Sequence, residues 1–144
     1  MVFQRAVVVV KPHMNFDFPG KMAEIAIEAL GEYCNLDLRL IGCRKVQFTD
    51  KMAKDFYAEH AGKNFFPLLI EASTMGPCIV FVLEGVGAID KIREKHGPTN
   101  PPDCRPDQLR KKYGRPERGR PYNAFHCTAT PGEFLREYQI AYKG

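Results

Sequence analysis

Apolar residues gather in four short runs along the chain, and each run is bounded by proline, glycine or polar residues. The first run, residues 6–10, is continuous and mostly valine, which is typical of a strand buried on both faces. The second alternates apolar and polar residues, as a strand with one buried face does. We predict four strands from these runs, over residues 6–10, 36–48, 78–83 and 123–128.

Apolar residues at helical spacing separate the predicted strands. The first helix is expected from about Gly20, after a loop over residues 13–19. Thr49 and Asn64 are expected to cap the next two helices, because short polar side chains satisfy the free N–H groups of a first turn. Further helices are predicted over residues 86–95 and at the C-terminal end of the chain.

The order of these elements is βαβ, then helices, then βαβ. It predicts an α+β fold, a ferredoxin-like four-stranded antiparallel sheet (split βαβ) covered by helices. The 144 residues are expected to form a single domain over residues 1–144. Residues 97–122 hold six of the 11 prolines and are interpreted as an ordered loop, and a loop of this length in a compact domain is usually functional.

Composition restricts the class of protein. Hydrophobic residues at 44% and charged residues at 26% are ordinary for a globular domain. Five cysteines without a Cys-x-x-Cys pair argue against a disulfide framework and against a structural zinc site. No apolar run reaches the length of a membrane span and the first residues lack a secretory pattern, so we expect no membrane partner and an intracellular, cytoplasmic location.

The positive charge of the chain is concentrated beside one histidine, His126. From Arg105 to Arg120 there are seven basic and two acidic residues, whereas the rest of the chain carries 14 basic and 15 acidic ones. A nucleophilic imidazole beside a cationic loop suits phosphoryl transfer, in which negative charge spreads over several oxygens. Charge and periodicity alone nevertheless favour two ordinary interpretations, a hydrogen-bonded structural histidine and a solvated or nucleic-acid-contacting basic loop.

Six short segments, in order along nearly the whole chain, carry a family resemblance. They are Val9-Val10-Lys11-Pro12; Phe56-Tyr57-x-x-His60 with Lys63-x-Phe65-Phe66; Gly76-Pro77 with Leu83-Glu84-Gly85; Arg93 with Gly97-Pro98-Thr99-Asn100-Pro101; Leu109-Arg110-x-x-Tyr113-Gly114; and Asn123-Ala124-x-His126. With these segments the chain resembles the nucleoside diphosphate kinase family, as a divergent member. The resemblance implies the same four-stranded sheet and a phosphotransferase enzyme.

The resemblance also implies a ping-pong mechanism. A nucleoside triphosphate gives its γ-phosphoryl group to His126, and the phosphohistidine passes it to a nucleoside diphosphate. A glutamate on the last helix supports the other ring nitrogen in the family, and Glu137 matches that position. Lys11, helped by the hydroxyl of Tyr57, is expected to contact the transferring group. Thr128 keeps the hydroxyl that joins the glutamate network in the family.

The nucleotide contacts follow from the same resemblance. Arg93, Thr99 and Arg110 are expected to hold the β- and terminal phosphates together with Mg²⁺, the expected cofactor. The metal is held mainly by the nucleotide phosphates, so no protein ligands are assigned to it. Asn123 is expected to hydrogen-bond the ribose, and Phe65 to stack on the base.

The chain departs from the family pattern beside the nucleophile and in the preceding loop. Cys127 replaces a glycine, and is interpreted as an inert buried thiol or, if it lies near the phosphates, as an oxidation-sensitive one. The loop over residues 114–122 is longer than the family spacing. In this family that loop shapes subunit contacts, and the resemblance implies a homo-oligomer, either a hexamer or a tetramer or dimer.

A rival hypothesis is a catalytically weak nucleotide- or RNA-binding or scaffolding module of the same fold. Arg115, Arg118 and Arg120 have no counterpart in the motifs, so they favour this rival and are expected to add little to phosphate exchange. Retention of Lys11 and His126 favours the enzyme. Nucleic acid is therefore a secondary partner, and a flagellar or cytoskeletal association stays open.

Overall fold

Four strands form one antiparallel sheet in the computed structural model, which describes residues 2–143. The strands are Phe3–Val10 (β1), Arg39–Val46 (β2), Cys78–Val86 (β3) and Phe125–Cys127 (β4). Their order in the sheet is β2-β3-β1-β4, with antiparallel pairing throughout. The two continuous apolar runs, β1 and β3, occupy the centre. The predicted α+β ferredoxin-like sheet is confirmed.

Helices cover both faces of the sheet. They are Met14–Asp17 (α1), Met22–Cys34 (α2), Asp50–Phe56 (α3), Phe66–Thr74 (α4), Ala88–His96 (α5), Leu109–Tyr113 (α6) and Phe134–Tyr138 (α7), followed by a π-helical turn over Gln139–Lys143. Helices α2, α5 and α6 pack on one face, and α3, α4 and the C-terminal segment pack on the other. Among residues 2–143, no helix has the length and apolar character needed to cross a bilayer.

Strand β1 supplies both halves of the core. Its side chains alternate between the two faces, so Ala6, Val8 and Val10 enter one hydrophobic cluster and Val7 and Val9 enter the other. All five are at most 3% exposed. Full burial of a valine side chain contributes about 1.5–3 kcal/mol. The strand therefore fixes the two helical layers relative to each other, and it ends where the candidate site begins.

The predicted helix starts differ from the structure in two places. The short helix α1 occupies the stretch predicted as a loop, because Met14 turns inward and is fully buried. Asn64 does not cap α4, whose N-cap position is Phe65 without a side-chain cap. Thr49 does cap α3, since its Oγ1 accepts a hydrogen bond from the Met52 N–H at 3.1 Å.

The third and fourth strands also differ in extent from their predictions. Strand β3 continues to Val86, and α5 begins only after Gly87, whose φ of 66° lies in the left-handed region that glycine tolerates. Strand β4 is three residues long because Ala124, with φ 75°, breaks the extended conformation before it. The predicted loop over residues 97–122 contains α6 and two 3₁₀ turns, Pro101–Asp103 and Pro116–Arg118.

Candidate active site

A cavity of about 290 Å³ opens beside the C-terminal end of β1. Its wall brings together seven of the predicted site residues: Lys11, Phe65, Arg93, Thr99, Arg110, Asn123 and His126. The rest of the wall is formed by His60, Leu69, Arg120, Pro121, Phe125, Cys127 and Ala129. The cavity wall, built entirely from described residues, contains basic side chains and no carboxylate. The other three predicted residues, Tyr57, Thr128 and Glu137, lie outside it.

Strand β4 directs the His126 side chain to one face of the sheet and the side chains of its two neighbours to the other, although both neighbours also border the cavity. Adjacent side chains on a strand point to opposite faces, and Phe125 and Cys127 are buried in the cluster on the other face. The side chain of His126 is 17% exposed. Its ring packs edge-on against the rings of Phe56 and Tyr57, at centroid distances of 4.9 and 5.8 Å. These contacts leave the imidazole little freedom to rotate.

A buried hydrogen-bond network lies behind His126. Its Nε2 is 3.0 Å from Glu137 Oε2, and Thr128 Oγ1 donates to Glu137 Oε1 at 2.7 Å. Thr128 Oγ1 in turn accepts from the Val7 N–H at 2.8 Å. Burial alone would raise the pKa of the Glu137 carboxyl, but the imidazole and these hydrogen bonds outweigh it and hold the pKa below its ordinary value. The carboxylate therefore accepts from Nε2–H, which leaves Nδ1 as the free ring nitrogen.

Lys11 and Asn123 form a polar pair in the cavity wall. Lys11 Nζ donates to Asn123 Oδ1 at 2.7 Å and to the Pro121 carbonyl at 3.1 Å. Asn123 Nδ2 donates to the Thr99 carbonyl at 3.1 Å. An ammonium has three donors, so one remains for a ligand. Desolvation, and then the charge of Arg110, lower the pKa of Lys11 to about 7.

Ala124 holds this pair in place through a strained backbone. Its φ of 75° is uncommon for an L-residue and costs about 1–3 kcal/mol. The Ala124 carbonyl accepts from the Lys11 N–H at 2.8 Å, and its N–H donates to His13 Nε2 at 3.0 Å. His13 Nδ1 is 2.7 Å from Asp17 Oδ2, and burial lowers the pKa of His13 to about 4 despite that carboxylate. Sequence reasoning gave His13 no role, because residue 13 lies outside the matched motifs.

Arg110 is fixed by two backbone carbonyls. Its Nη1 donates to Gly97 O at 2.8 Å and its Nη2 to Phe125 O at 2.7 Å, while its buried Nε has no partner among residues 2–143. Gly97 has a φ of 94°, and a Cβ there would lie 2.8 Å from Cys104 Sγ, so the turn requires glycine. Burial, and then the charge of Arg93, lower the pKa of Arg110. A ligand anion would relieve that repulsion.

Aromatic and basic side chains share the far side of the cavity. The rings of His60 and Phe65 lie with centroids 5.3 Å apart. Arg120 Cζ is 5.6 Å from the Phe65 centroid, and Lys63 Nζ is 5.8 Å from it. Arg120 lines the cavity although no motif includes it. Neither charge counting nor motif spacing distinguishes it from Arg115, because the direction of a loop side chain depends on the whole loop.

Tyr57, which is a predicted site residue, and Cys127, which departs from the family pattern, are both buried beside His126. Tyr57 is 6% exposed, and burial raises the pKa of its hydroxyl. Its ring contacts the imidazole and does not line the cavity, so its contact with a phosphoryl group stays a prediction. Cys127 is 5% exposed, and burial raises the pKa of its thiol to about 12. The thiol is therefore protonated at neutral pH, which favours the inert interpretation over the oxidation-sensitive one.

The cavity could bind a metal ion only when the ion is already bound to an anion. Residues 2–143 contain no group of three or more His, Cys, Asp or Glu side chains placed to hold a metal ion. The basic wall would repel a free divalent cation, whereas Mg²⁺ prefers oxygen ligands such as phosphate. The chemistry of the wall thus fits a polyphosphate with its bound cation.

Sequence comparisons agree on one family. The family described as nucleoside diphosphate kinase matches residues 4–144. A protein named nucleoside diphosphate kinase from Thermococcus kodakarensis is 32% identical over 140 residues, which is 97% of this chain and 77% of that protein. Another protein of that name, from Syntrophotalea carbinolica, is 44% identical over 93 residues, which is 65% of this chain and 66% of its own length.

Solved structures give the same result. The nucleoside diphosphate kinase of Aquifex aeolicus superposes with a TM-score of 0.83 at 27% identity, covering 96% of this chain and 94% of that one. A halophilic nucleoside diphosphate kinase from Halobacterium salinarum, solved in complex with CDP, superposes with a TM-score of 0.80 at 27% identity, covering 96% and 87%. By the match over residues 4–144 and by these relatives, the chain belongs to the nucleoside diphosphate kinase family.

Proposed function

We propose that the chain transfers the γ-phosphoryl group of a nucleoside triphosphate to a nucleoside diphosphate through phosphorylated His126. One observation carries the proposal: Glu137 occupies Nε2 at 3.0 Å and leaves Nδ1 without a partner within residues 2–143, in the wall of a cavity that contains no carboxylate. Family membership supports the same class of enzyme, a phosphotransferase that acts on nucleotides.

The chemistry divides into two half-reactions. First, Nδ1 of His126 bonds to the γ-phosphorus while the bond from that phosphorus to the bridging oxygen breaks, and the nucleoside diphosphate leaves. The imidazole, now substituted at Nδ1 and protonated at Nε2, becomes a cation that the Glu137 carboxylate stabilises. A terminal oxygen of the second diphosphate then attacks the phosphorus, and the neutral imidazole is restored. The same pocket serves both nucleotides.

Basic side chains of the wall would hold the phosphates. Lys11 has one free ammonium hydrogen, and the guanidinium groups of Arg93 and Arg110 meet at the same wall. Guanidinium donors suit the spread of negative charge in the phosphoryl group during transfer. Mg²⁺ enters as part of the nucleotide substrate, where it neutralises phosphate charge, and these residues would bind the phosphates that carry it.

Ribose and base would occupy the opposite end of the cavity. Asn123 offers the second hydrogen of its amide and a free lone pair of its oxygen to a ribose hydroxyl. Phe65 provides the aromatic face for the base. Stacking tolerates every base because each has a π face, which supports a broad range of substrates.

We also propose a homo-oligomer in the cytoplasm. Strand β2 is an edge strand, and its Ile41 is 43% exposed near Leu135, which is 59% exposed. Exposed apolar side chains on a sheet edge favour self-association. Light scattering on purified protein measures the assembly, and a monomer at micromolar concentration would contradict the homo-oligomer.

The proposed cytoplasmic location rests on the five free cysteines, which are typical of a reducing compartment.

Labelling with γ-phosphate-labelled ATP tests the function. We expect acid-labile, base-stable phosphate on the wild type and none on His126→Ala, with exchange reduced more than about thousandfold and nucleotide binding retained. His60→Gln is the matched control, because His60 shares the cavity wall but its nearest carboxylate, Glu59, is 46% exposed and lies 3.6 Å from Nε2, whereas the carboxylate behind His126 is buried. It should still take up the label at saturating ATP.

The same assay tests the rival hypothesis. No label and no transfer to any diphosphate, with nucleotide or RNA binding intact, would replace the kinase by a binding module. The structure weakens one argument for that rival, since Arg115 lies over the Phe18 ring and Arg118 pairs with Asp17 and lies over the Tyr122 ring. Label on His60 instead of His126 would refute the assignment of the nucleophile.

A further inference from the structure

We propose that the buried His13 is a positioning residue for ribose recognition, and that it acts by holding the backbone of Ala124 in the conformation that presents Asn123. The inference deepens the proposed function and rests on it, because Asn123 is the side chain that would meet a ribose hydroxyl. Residue 13 lies outside every family motif, so the resemblance assigns His13 no role.

Both ring nitrogens of His13 have partners, and only one tautomer satisfies both. Its Nδ1 is 2.7 Å from Asp17 Oδ2, and its Nε2 is 3.0 Å from the backbone nitrogen of Ala124. The residue is 0% exposed, and burial lowers its pKa to about 4, so at neutral pH the ring carries a single hydrogen. A backbone N–H can only donate. The ring hydrogen is therefore on Nδ1, where Asp17 accepts it, and Nε2 accepts from Ala124.

The partner of Nδ1 is itself held in place. Asp17 Oδ1 accepts from Arg118 Nη1 at 2.5 Å, and Arg118 Cζ lies 4.3 Å from the centre of the Tyr122 ring. The Tyr122 ring packs edge-on against the His13 ring, with centroids 5.3 Å apart. These contacts fix the orientation of the imidazole as well as its tautomer.

Ala124 is the centre of a tight three-residue turn. The Phe125 N–H donates to the Asn123 carbonyl at 2.9 Å, across the φ of 75° at Ala124. Alanine keeps this conformation only where surrounding contacts outweigh its strain. The Ala124 N–H has no other acceptor than His13 Nε2 among residues 2–143, and Ala124 is 0% exposed. Loss of that acceptor would leave a buried N–H unpaired in the strained turn.

The turn determines where the Asn123 side chain lies. Asn123 Oδ1 accepts from Lys11 Nζ at 2.7 Å, and Nδ2 donates to the Thr99 carbonyl at 3.1 Å. A change of φ at residue 124 rotates the peptide group that joins it to Asn123, and so moves the amide relative to the cavity. Arg93, by contrast, is carried by α5 and does not depend on this turn. We therefore expect His13 to affect ribose recognition more than phosphate binding.

The experiment compares ligands with and without the ribose hydroxyl. Dissociation constants of ADP, 3′-deoxy-ADP and inorganic tripolyphosphate are measured for the wild type and for variants of His13. The wild type should prefer ADP over 3′-deoxy-ADP by about tenfold or more. His13→Leu should reduce that preference at least about threefold and change tripolyphosphate binding less than about twofold. His13→Gln, whose amide oxygen can accept from the Ala124 N–H, should keep most of the preference.

His96→Leu is the matched control. It makes the same change at another histidine that is 0% exposed and hydrogen-bonded, but its partner is Tyr33 and not Ala124. It should leave the preference within about twofold of the wild type, so it separates a specific effect of His13 from a general loss of stability.

A double variant tests the route through the backbone. Glycine adopts a positive φ without the strain that alanine bears. Ala124→Gly should therefore recover most of the lost preference in the His13→Leu background, which a role of His13 in packing alone does not predict. Nitrogen-15 NMR of the wild type should show the ring hydrogen of His13 on Nδ1.

Other outcomes would overturn the inference. An unchanged preference in His13→Leu, or a wild type without any preference, would mean that His13 does not set ribose recognition. A loss no larger than in His96→Leu, or no recovery with Ala124→Gly, would mean that His13 acts only through the stability of the fold. A ring hydrogen on Nε2 would exclude the contact with Ala124. In each case transfer through His126 could still occur, so labelling of His126 tests the proposed function separately.

Discussion

Glu137→Gln tests the charge behind the nucleophile with almost no change of shape. The carboxylate accepts from His126 Nε2 at 3.0 Å and from Thr128 Oγ1 at 2.7 Å, and the residue is 1% exposed. Glutamine keeps an oxygen acceptor but loses the negative charge. If its amide nitrogen turns toward His126 instead, it favours the tautomer with the proton on Nδ1, which cannot attack.

The size of the effect follows from the charge that appears on the ring. Two unit charges about 4 Å apart interact by about 4 kcal/mol at an effective dielectric constant of about 20. Only part of that charge has developed in the transition state, and the amide dipole replaces part of the stabilisation. We therefore expect a loss of about 2–3 kcal/mol, which is about 30-fold to 150-fold in the rate of His126 phosphorylation.

Single-turnover phosphorylation by ATP, measured with the dissociation constant of ADP, separates chemistry from binding. Glu137→Gln should lower the rate constant while the dissociation constant changes less than threefold. Glu133→Gln is the matched control, because the same chemical change falls four residues earlier on a side chain 33% exposed and 4.0 Å from its partner Arg136. A loss below threefold in Glu137→Gln, or one no larger than in the control, would refute the electrostatic argument.

Three other outcomes follow from the site. Thr128→Val leaves the buried Val7 N–H and one Glu137 oxygen unpaired. Each unpaired group should lower the free energy of unfolding, measured in urea, by about 1–3 kcal/mol. The exposed control Thr130→Val should not change it, and an equal change in both variants would contradict this prediction. Bound phosphates should raise the lowered pKa of Lys11, so above pH 7 the protein should take up close to one proton when a nucleotide binds. Calorimetry in two buffers counts this proton, and Lys11→Met should abolish the uptake. No uptake in the wild type would contradict the lowered pKa of Lys11. Arg110→Ala should reduce kcat/KM by an amount equal to about 2.7–4 kcal/mol of lost transition-state stabilisation. Arg110→Lys should restore little of this loss, because a point charge cannot form both carbonyl contacts. Full activity in Arg110→Lys would show that charge alone suffices.

Strands were predictable from sequence where one physical pattern dominated. Strand β1 and strand β3 each contain a continuous apolar run, and only a central position in a sheet buries both faces of such a run. The short helix α1 was not predictable, because it depends on the inward turn of Met14 between neighbours distant in sequence. The wrong cap at Asn64 has a similar cause, since tertiary packing sets where α4 begins.

The site was predictable in its members more than in its geometry. Motif order identified seven of the fourteen residues that line the cavity, including Lys11 and Arg110, from segments more than a hundred residues apart. The contact of Ala124 with His13 has no sequence signal, because a positive φ on alanine contradicts local preference and persists only through tertiary hydrogen bonds. Arg120 was missed for another reason, since identical side chains in one loop differ only in the direction that the fold gives them.

The cavity wall gathers basic side chains without a carboxylate from residues 2–143 beside them, and this arrangement costs stability before any ligand binds. The ordinary pKa of the Lys11 ammonium, 10.5, falls to about 7 in the folded chain. Between these values the unfolded chain binds the proton more tightly, so Lys11 lowers stability most below pH 7, and the penalty shrinks as the pH rises toward 10.5. Burial is the main cause of the lowered pKa of both Lys11 and Arg110, and a neighbouring cation adds to it, Arg110 beside Lys11 and Arg93 beside Arg110. The negative charge of a bound polyphosphate raises the pKa of both groups and so offsets this cost, which makes ligand binding and stabilisation of the fold two consequences of one charge arrangement.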